Sequence, residues 1–122
     1  MVTILEPEFA FSDERGNLTQ LVSSGYKQFN VITSKKGAVR GRHYHKLNNE
    51  AFYVISGKLH LEVAFDDYVE NHTFCSGSFF RIDANVTHSF MFAEDTLLVS
   101  MYDKGVETGT TQKDIYTREA IS

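Results

Sequence analysis

The stretch from Gly37 to Gly57, GAVRGRHYHKLNNEAFYVISG, decides the fold. One residue separates His43 from His45, four separate His45 from Glu50, and six separate Glu50 from Gly57. On an extended strand, side chains two apart point to the same side, so His43 and His45 present two imidazoles to one cavity. The KLNN segment that follows is a short turn, and it returns the chain so that Glu50 stands beside them on the next strand. Two imidazoles and a carboxylate suit a borderline divalent ion such as zinc, iron, nickel or manganese, and they leave coordination positions for further ligands.

Outward from this stretch the chain keeps an all-β rhythm. FNVIT, AFYVIS, LHLEVAF, SFFRI, THSFMF and TLLVSMY are short runs of β-branched and aromatic residues, separated by turn-forming segments. Between Leu59 and Phe65 the alternation is strict, with Leu59, Leu61, Val63 and Phe65 on a buried face and His60, Glu62 and Ala64 on a wet one. Ala51 to Ile55 and Thr96 to Tyr102 are instead apolar on both faces, which calls for a second sheet or a partner subunit over the outside. A sandwich or closed barrel follows, and a homodimer is expected. No long segment has helical spacing with caps, so any helices should be short. The polar stretch Asp103 to Ser122 reads as a loose tail or an arm to a neighbouring subunit.

The 122 residues suit one domain, and an apolar fraction of 42% with ten Phe and six Tyr fills one core. The formal charge of -4 has no long run of either sign, which argues against a nucleic-acid partner. Cys75 is the sole cysteine; it excludes an intrachain disulfide and reads as a small buried hydrophobe. No signal-peptide pattern and no membrane-length apolar run is present, so a soluble cytoplasmic protein without a membrane partner is expected.

Position for position, Gly37, His43, His45, Glu50 and Gly57 resemble the first motif of the cupin superfamily. Gly77 to His88 is similar to the second motif, with His88 in the histidine position. Asp83 and Asn85 stand there in place of the family's usual Pro and Gly, and Phe92 in place of its terminal Asn. The resemblance implies an all-β, RmlC-like jelly-roll barrel (double-stranded β-helix) over about residues 29–102 of a single domain 1–122. It also implies a divalent metal ion held by His43, His45, Glu50 and His88.

SDERGNL near the start and RGRHYHK in the motif narrow the likeness. They resemble cupins that act on nucleotide-linked keto-sugars: sugar 3,4-ketoisomerases, 3,5-epimerases and the metal-binding cupin domain of certain capsule-sugar reductases. This implies an isomerase or epimerase of polysaccharide biosynthesis, with a sugar or nucleotide-sugar as its small-molecule substrate. In the ketoisomerases the paired histidines act as acid and base without metal, and Gln commonly stands at the position of Glu50. Glu50 therefore favours metal here.

Chemistry on a 4-keto sugar needs a base beside the carbonyl, stabilisation of the enediolate oxygen, and cations for the diphosphate. His43, His45 and Tyr44 are the catalytic candidates, with Tyr53 and Tyr102 as further proton carriers. Arg15, Arg40 and Arg42 are the candidates for phosphate, which guanidinium forks match in a bidentate way. His60 and His72 read as surface residues, and Asp66 with Asp67 as a hairpin turn. Two other functions fit the same ligands: a metal-dependent oxygenase, and a non-catalytic module that binds a small molecule.

Overall fold

The computed structural model describes residues 1–107 and 113–118, and among them it contains strands and no helix. The first three strands precede the expected barrel: β1 (Val2–Ile4), β2 (Phe9–Asp13) and β3 (Gly16–Gln20). The barrel follows with β4 (Gln28–Ser34), β5 (Val39–Tyr44), β6 (Glu50–Ser56), β7 (Lys58–Phe65), β8 (Tyr68–Cys75), β9 (Phe79–Ile82), β10 (Thr87–Phe92) and β11 (Thr96–Tyr102). A short β12 (Tyr116–Thr117) closes the described chain. One sheet runs β1-β9-β6-β11-β4, the other β12-β5-β10-β7-β8, and among the described residues β2 pairs only with β3. All pairings are antiparallel. This is the cupin jelly roll.

Alternation puts the core between the sheets. Phe52 and Val54 of β6, Phe80 and Ile82 of β9, and Leu98 of β11 face Leu59, Leu61 and Val63 of β7 and Phe90 and Phe92 of β10, all buried. The rings of Phe52, Phe74 and Phe80 stack, with Phe74 and Phe80 only 4.0 Å between centroids. Each buried side chain of this size contributes about 1.5–3 kcal/mol relative to exposure, so this cluster drives closure of the barrel. Phe65 departs from the expected buried face: it lies at the β7–β8 turn, past the end of the core, and is exposed. Asp66 makes that turn with φ 53°, a conformation Asp tolerates.

Register then places the site. Tyr102 at the end of β11 pairs with Glu50 at the start of β6, and His88 at the start of β10 pairs with His43 near the end of β5. Antiparallel neighbours bring these ends to one mouth of the barrel, above the layer of Phe52, Ser100 and Phe90. Glu50, His88 and Tyr102 share the inner face with the core because they sit at even spacing from Phe52, Phe90 and Ser100.

Several expectations need correction. The outer face of β6 and β11 is covered in part by the chain itself: Leu5, Leu21, Val22 and Tyr26 pack on Ala51, Phe79 and Met101. The polar stretch after Tyr102 includes a segment, 113–118, that returns to the barrel and pairs with β5; residues 108–112 and 119–122 lie outside the described residues. Cys75 is exposed, because it ends β8 with Phe74 taking the inward position. His72 belongs to a strand, half-buried and stacked on Phe74, whereas His60 is the surface residue expected and bonds Thr73 on the outer face.

Candidate active site

A cleft of about 450 Å³ opens at the mouth. Its walls include Arg40, His43, His45, Glu50, His88, Phe90, Tyr102 and Ile115. At its base the ligand atoms of His45, Glu50 and His88, all buried, lie within 4.8 Å of one another. His45 Nε2 is 3.0 Å from Glu50 Oε1, and His88 Nε2 is 3.7 Å from the same oxygen. The sequence brought four residues forward as ligands, and the structure gathers three of them. His43, cross-strand partner of His88, lines the cleft outside that group.

Backbone carbonyls orient both imidazoles. A carbonyl only accepts, so His45 Nδ1–H donates to Asp114 O at 2.7 Å and His88 Nδ1–H to Val86 O at 3.3 Å. In each ring Nε2 is left for the carboxylate side of the cleft. The two environments pull the rings apart. Burial pushes His45 down, but the hydrogen bond and charge of Glu50 and the carbonyl of Asp114 outweigh it, and the net direction is up. Burial dominates at His88 and holds it at about 4 despite Glu50, so that ring is neutral at physiological pH. Burial, followed by the charge and hydrogen bond of Glu50, pushes the Tyr102 phenol far up, so it keeps its proton.

The turn between β5 and β6 is held from both sides. Asn48, fully buried, donates to Gly105 O and Asp114 and accepts from Lys104 N; Asn49 bonds Asp103 and accepts from Ala84 N. Asn85, which stands where the second cupin motif has Gly, adopts φ 69° and donates its N–H to His45 O at 2.6 Å. Asparagine is one of the few residues that visit this region readily, so the degenerate motif keeps its turn.

Four candidates lie elsewhere. Tyr44, between two inward histidines, points the opposite way and stacks on Tyr116 with Arg118 over its ring. Arg42 sits in the β5 bulge at φ 56° and lines the outer face of the second sheet with Glu62 and Ser89. Arg15 is on the β2–β3 turn, ion-paired to Asp13. Tyr53 packs against Phe79 on the outer sheet face. Of the tyrosines and arginines singled out, Tyr102 and Arg40 reach the cleft; Arg40 is tied to Ser34 Oγ at 3.0 Å and Thr33 O at 3.2 Å. Asp114 was missed, because nothing local marks one aspartate in a polar stretch.

A family model, the polysaccharide biosynthesis C-terminal domain, matches residues 11–106. The chain belongs to that family. Three solved structures share the fold of this polysaccharide biosynthesis C-terminal domain. The sugar 3,4-ketoisomerase QdtA from Thermoanaerobacterium thermosaccharolyticum, in complex with TDP, is 18% identical with a TM-score of 0.78, over 96% of this chain and 88% of that one. The TDP-quinovose 3,4-ketoisomerase WlaRB from Campylobacter jejuni is 19% identical with a TM-score of 0.77, over 93% and 92%. The capsular polysaccharide assembling protein CapF from Staphylococcus aureus is 24% identical with a TM-score of 0.67. The chain is covered over 97% in that match but spans only 35% of CapF. No curated protein matches the sequence. Among the described residues no helix is long and apolar enough to cross a membrane.

Proposed function

We propose that this domain is a metal-binding isomerase or epimerase of a nucleotide-linked 4-keto sugar. The observation that carries the reading is the buried His45, Glu50, His88 set at the base of a cleft whose walls carry a further histidine, a protonated phenol and an arginine. Two imidazole nitrogens and one carboxylate oxygen, with both histidines anchored through Nδ1, fit a borderline divalent ion. A bound ion supplies Lewis acidity toward the sugar carbonyl.

The chain's own groups do the rest. His43, outside the ligand group, takes the proton from the carbon next to the carbonyl, and the electron pair moves to the carbonyl oxygen as an enediolate. Tyr102 is the protonated donor of the cleft. Return of the proton to the former carbonyl carbon moves the keto group when, by way of Tyr102, the former carbonyl oxygen gains a proton and the adjacent hydroxyl gives one up; return to the same carbon from the other face, with the original carbonyl re-formed, inverts it. Arg40 at the rim meets the diphosphate.

The test incubates the protein, loaded in turn with zinc, iron, nickel or manganese, with TDP-4-keto-6-deoxyglucose in D₂O. Deuterium is expected at a carbon adjacent to the carbonyl, without oxygen consumption. It should be lost in His43→Gln, and metal content should be lost in Glu50→Gln. No exchange with any metal, or exchange indifferent to His43, overturns the reading; oxygen uptake would point to the oxygenase instead.

The same reading includes a homodimer. The β2–β3 hairpin has an exposed strip of Phe9, Phe11 and Leu18, and the edge strand β4 exposes Phe29 and Val31, the latter at 73%. An isolated two-stranded hairpin is marginal, and a bare apolar edge invites pairing, so a second copy covers both. Light scattering should give twice the chain mass, and Val31→Lys should give the monomer.

A further inference from the structure

We infer that Asp114 is the positioning residue of this site: its carboxylate locks the turn after His45, and its carbonyl holds the His45 ring with Nε2 directed into the cleft. The inference rests on reading His45 as a working side chain of the cleft, as proposed above.

The Asp114 side chain is buried among donors, with 1% of the residue exposed. Its Oδ1 accepts Lys46 N at 2.9 Å, and its Oδ2 accepts Leu47 N at 3.0 Å, Asn48 N at 3.1 Å and Asn48 Nδ2 at 2.8 Å. Three successive backbone N–H groups form a small anion-binding concavity, and only a carboxylate presents acceptors on both arms. Asparagine, of the same shape, would turn one arm into a donor facing donors. This clasp joins segments 66 to 68 residues apart in sequence. The neighbouring strand pairing is brief, Tyr116 with Tyr44 and Thr117 with His43, so the carboxylate is the main polar tie of the returning segment.

The main chain of the same residue then acts on the site. With the side chain fixed, Asp114 O has one place to be, 2.7 Å from His45 Nδ1. That bond keeps a proton on Nδ1 whether the ring is neutral or charged. Without it, the neutral ring gains by placing its proton on Nε2, where the Glu50 carboxylate accepts it across 3.0 Å. A protonated Nε2 has no lone pair for an ion or for a substrate proton. The next residue, Ile115, lines the cleft, so the clasp also sets part of its wall.

The test is the ¹⁵N spectrum of the His45 ring in the full chain, with zinc titration by calorimetry alongside. In the native protein Nδ1 is expected to be protonated at every pH. In Asp114→Asn the neutral ring should carry its proton on Nε2, and zinc affinity should fall about 10- to 100-fold, as losses of such orienting partners do. A folded Asp114→Asn protein that keeps Nδ1–H and its zinc affinity overturns the inference. If that variant does not fold, Tyr116→Ala, which loosens the same segment by removing its stack on Tyr44, is read the same way. If the native protein binds no zinc, the metal reading fails while the tautomer still decides the role of Asp114.

Discussion

Gly57→Ala, set against Gly37→Ala, separates two kinds of glycine within one motif. Both residues have positive φ, +104° at Gly57 and +85° at Gly37. An L side chain there costs roughly 1–2 kcal/mol, partly offset by about 0.4–1 kcal/mol from the stiffer unfolded chain. At Gly37 nothing lies within 4 Å of the added Cβ, so the net loss should be about 1 kcal/mol or less. At Gly57 the Cβ would stand 2.5 Å from Asp95 O and 2.7 Å from Thr96 Cα, and against Thr96 Oγ1. Two of these are backbone atoms that cannot swing aside, so the β6–β7 turn and the β10–β11 loop must part by about 1 Å, an overpacking that costs roughly 1–3 kcal/mol more. Parting them also loosens Thr96 Oγ1 from Lys58 N and Glu94 O. Urea unfolding at constant m-value should therefore place Gly57→Ala about 2–4 kcal/mol below native and at least ~1 kcal/mol below Gly37→Ala. Equal midpoints for the two variants would refute the close-approach argument.

Other outcomes follow from the site. In chelator, stability should fall as pH drops from 6.5 toward 4, because the unfolded chain protonates His88 at its ordinary value while the folded chain holds it neutral to about 4. At about 1.4 kcal/mol per unit the window is worth on the order of 3 kcal/mol, and His88→Gln should remove that slope in thermal unfolding curves. Tyr102→Phe should fold normally and lower kcat by about 10²-fold or more, as loss of a proton donor does; unchanged kcat would exclude the role. Arg40→Ala should raise KM for the nucleotide sugar, whereas Arg42→Ala, on the outer sheet face, should not. A reversal would mean the diphosphate lies along the second sheet.

The barrel was legible because its strands carry period-two patterning and its turns carry the residues turns require. Glu50 and His88 were legible for the same reason, each standing at a strand start with its parity matched to a core residue two positions on, Phe52 and Phe90; His45, just past the end of β5, follows the parity of His43. That parity also contained the case against Tyr44, which lies between two inward histidines, but chemistry drew attention to it first. Arg42 shares the outward parity of Tyr44, whereas the place of Arg40 opposite inward Phe90 could not be read from sequence, since the bulge that re-phases it is created by the pairing of β5 with β10. The N-terminal strands and Asp114 were hidden for a deeper reason. Their positions depend on contacts to residues far along the chain, and no local spacing records a carboxylate that will meet three N–H groups 66 to 68 residues away.

The opposed shifts of the two buried histidines bear on how an ion would enter. An incoming dication meets a neutral His88 that gives up no proton, and a His45 that Glu50 holds protonated to higher pH than an ordinary imidazole. Binding must therefore expel the Nε2 proton of His45, and affinity should rise with pH until that ring is neutral. Because Glu50 and the Asp114 carbonyl hold His45 above an ordinary imidazole, more of a proton per chain should be released on zinc binding at pH 6.5 than an unperturbed imidazole would give up. Calorimetry in buffers of different ionisation enthalpy reads that number directly. Release should decline at higher pH and vanish once the ring is neutral. In Asp114→Asn the neutral ring must first move its proton from Nε2 to Nδ1, which lowers affinity without adding to the release, so release there too should vanish once the ring is neutral. No proton release at pH 6.5 in the native protein would mean that the ion does not sit between His45 and Glu50, whatever its affinity.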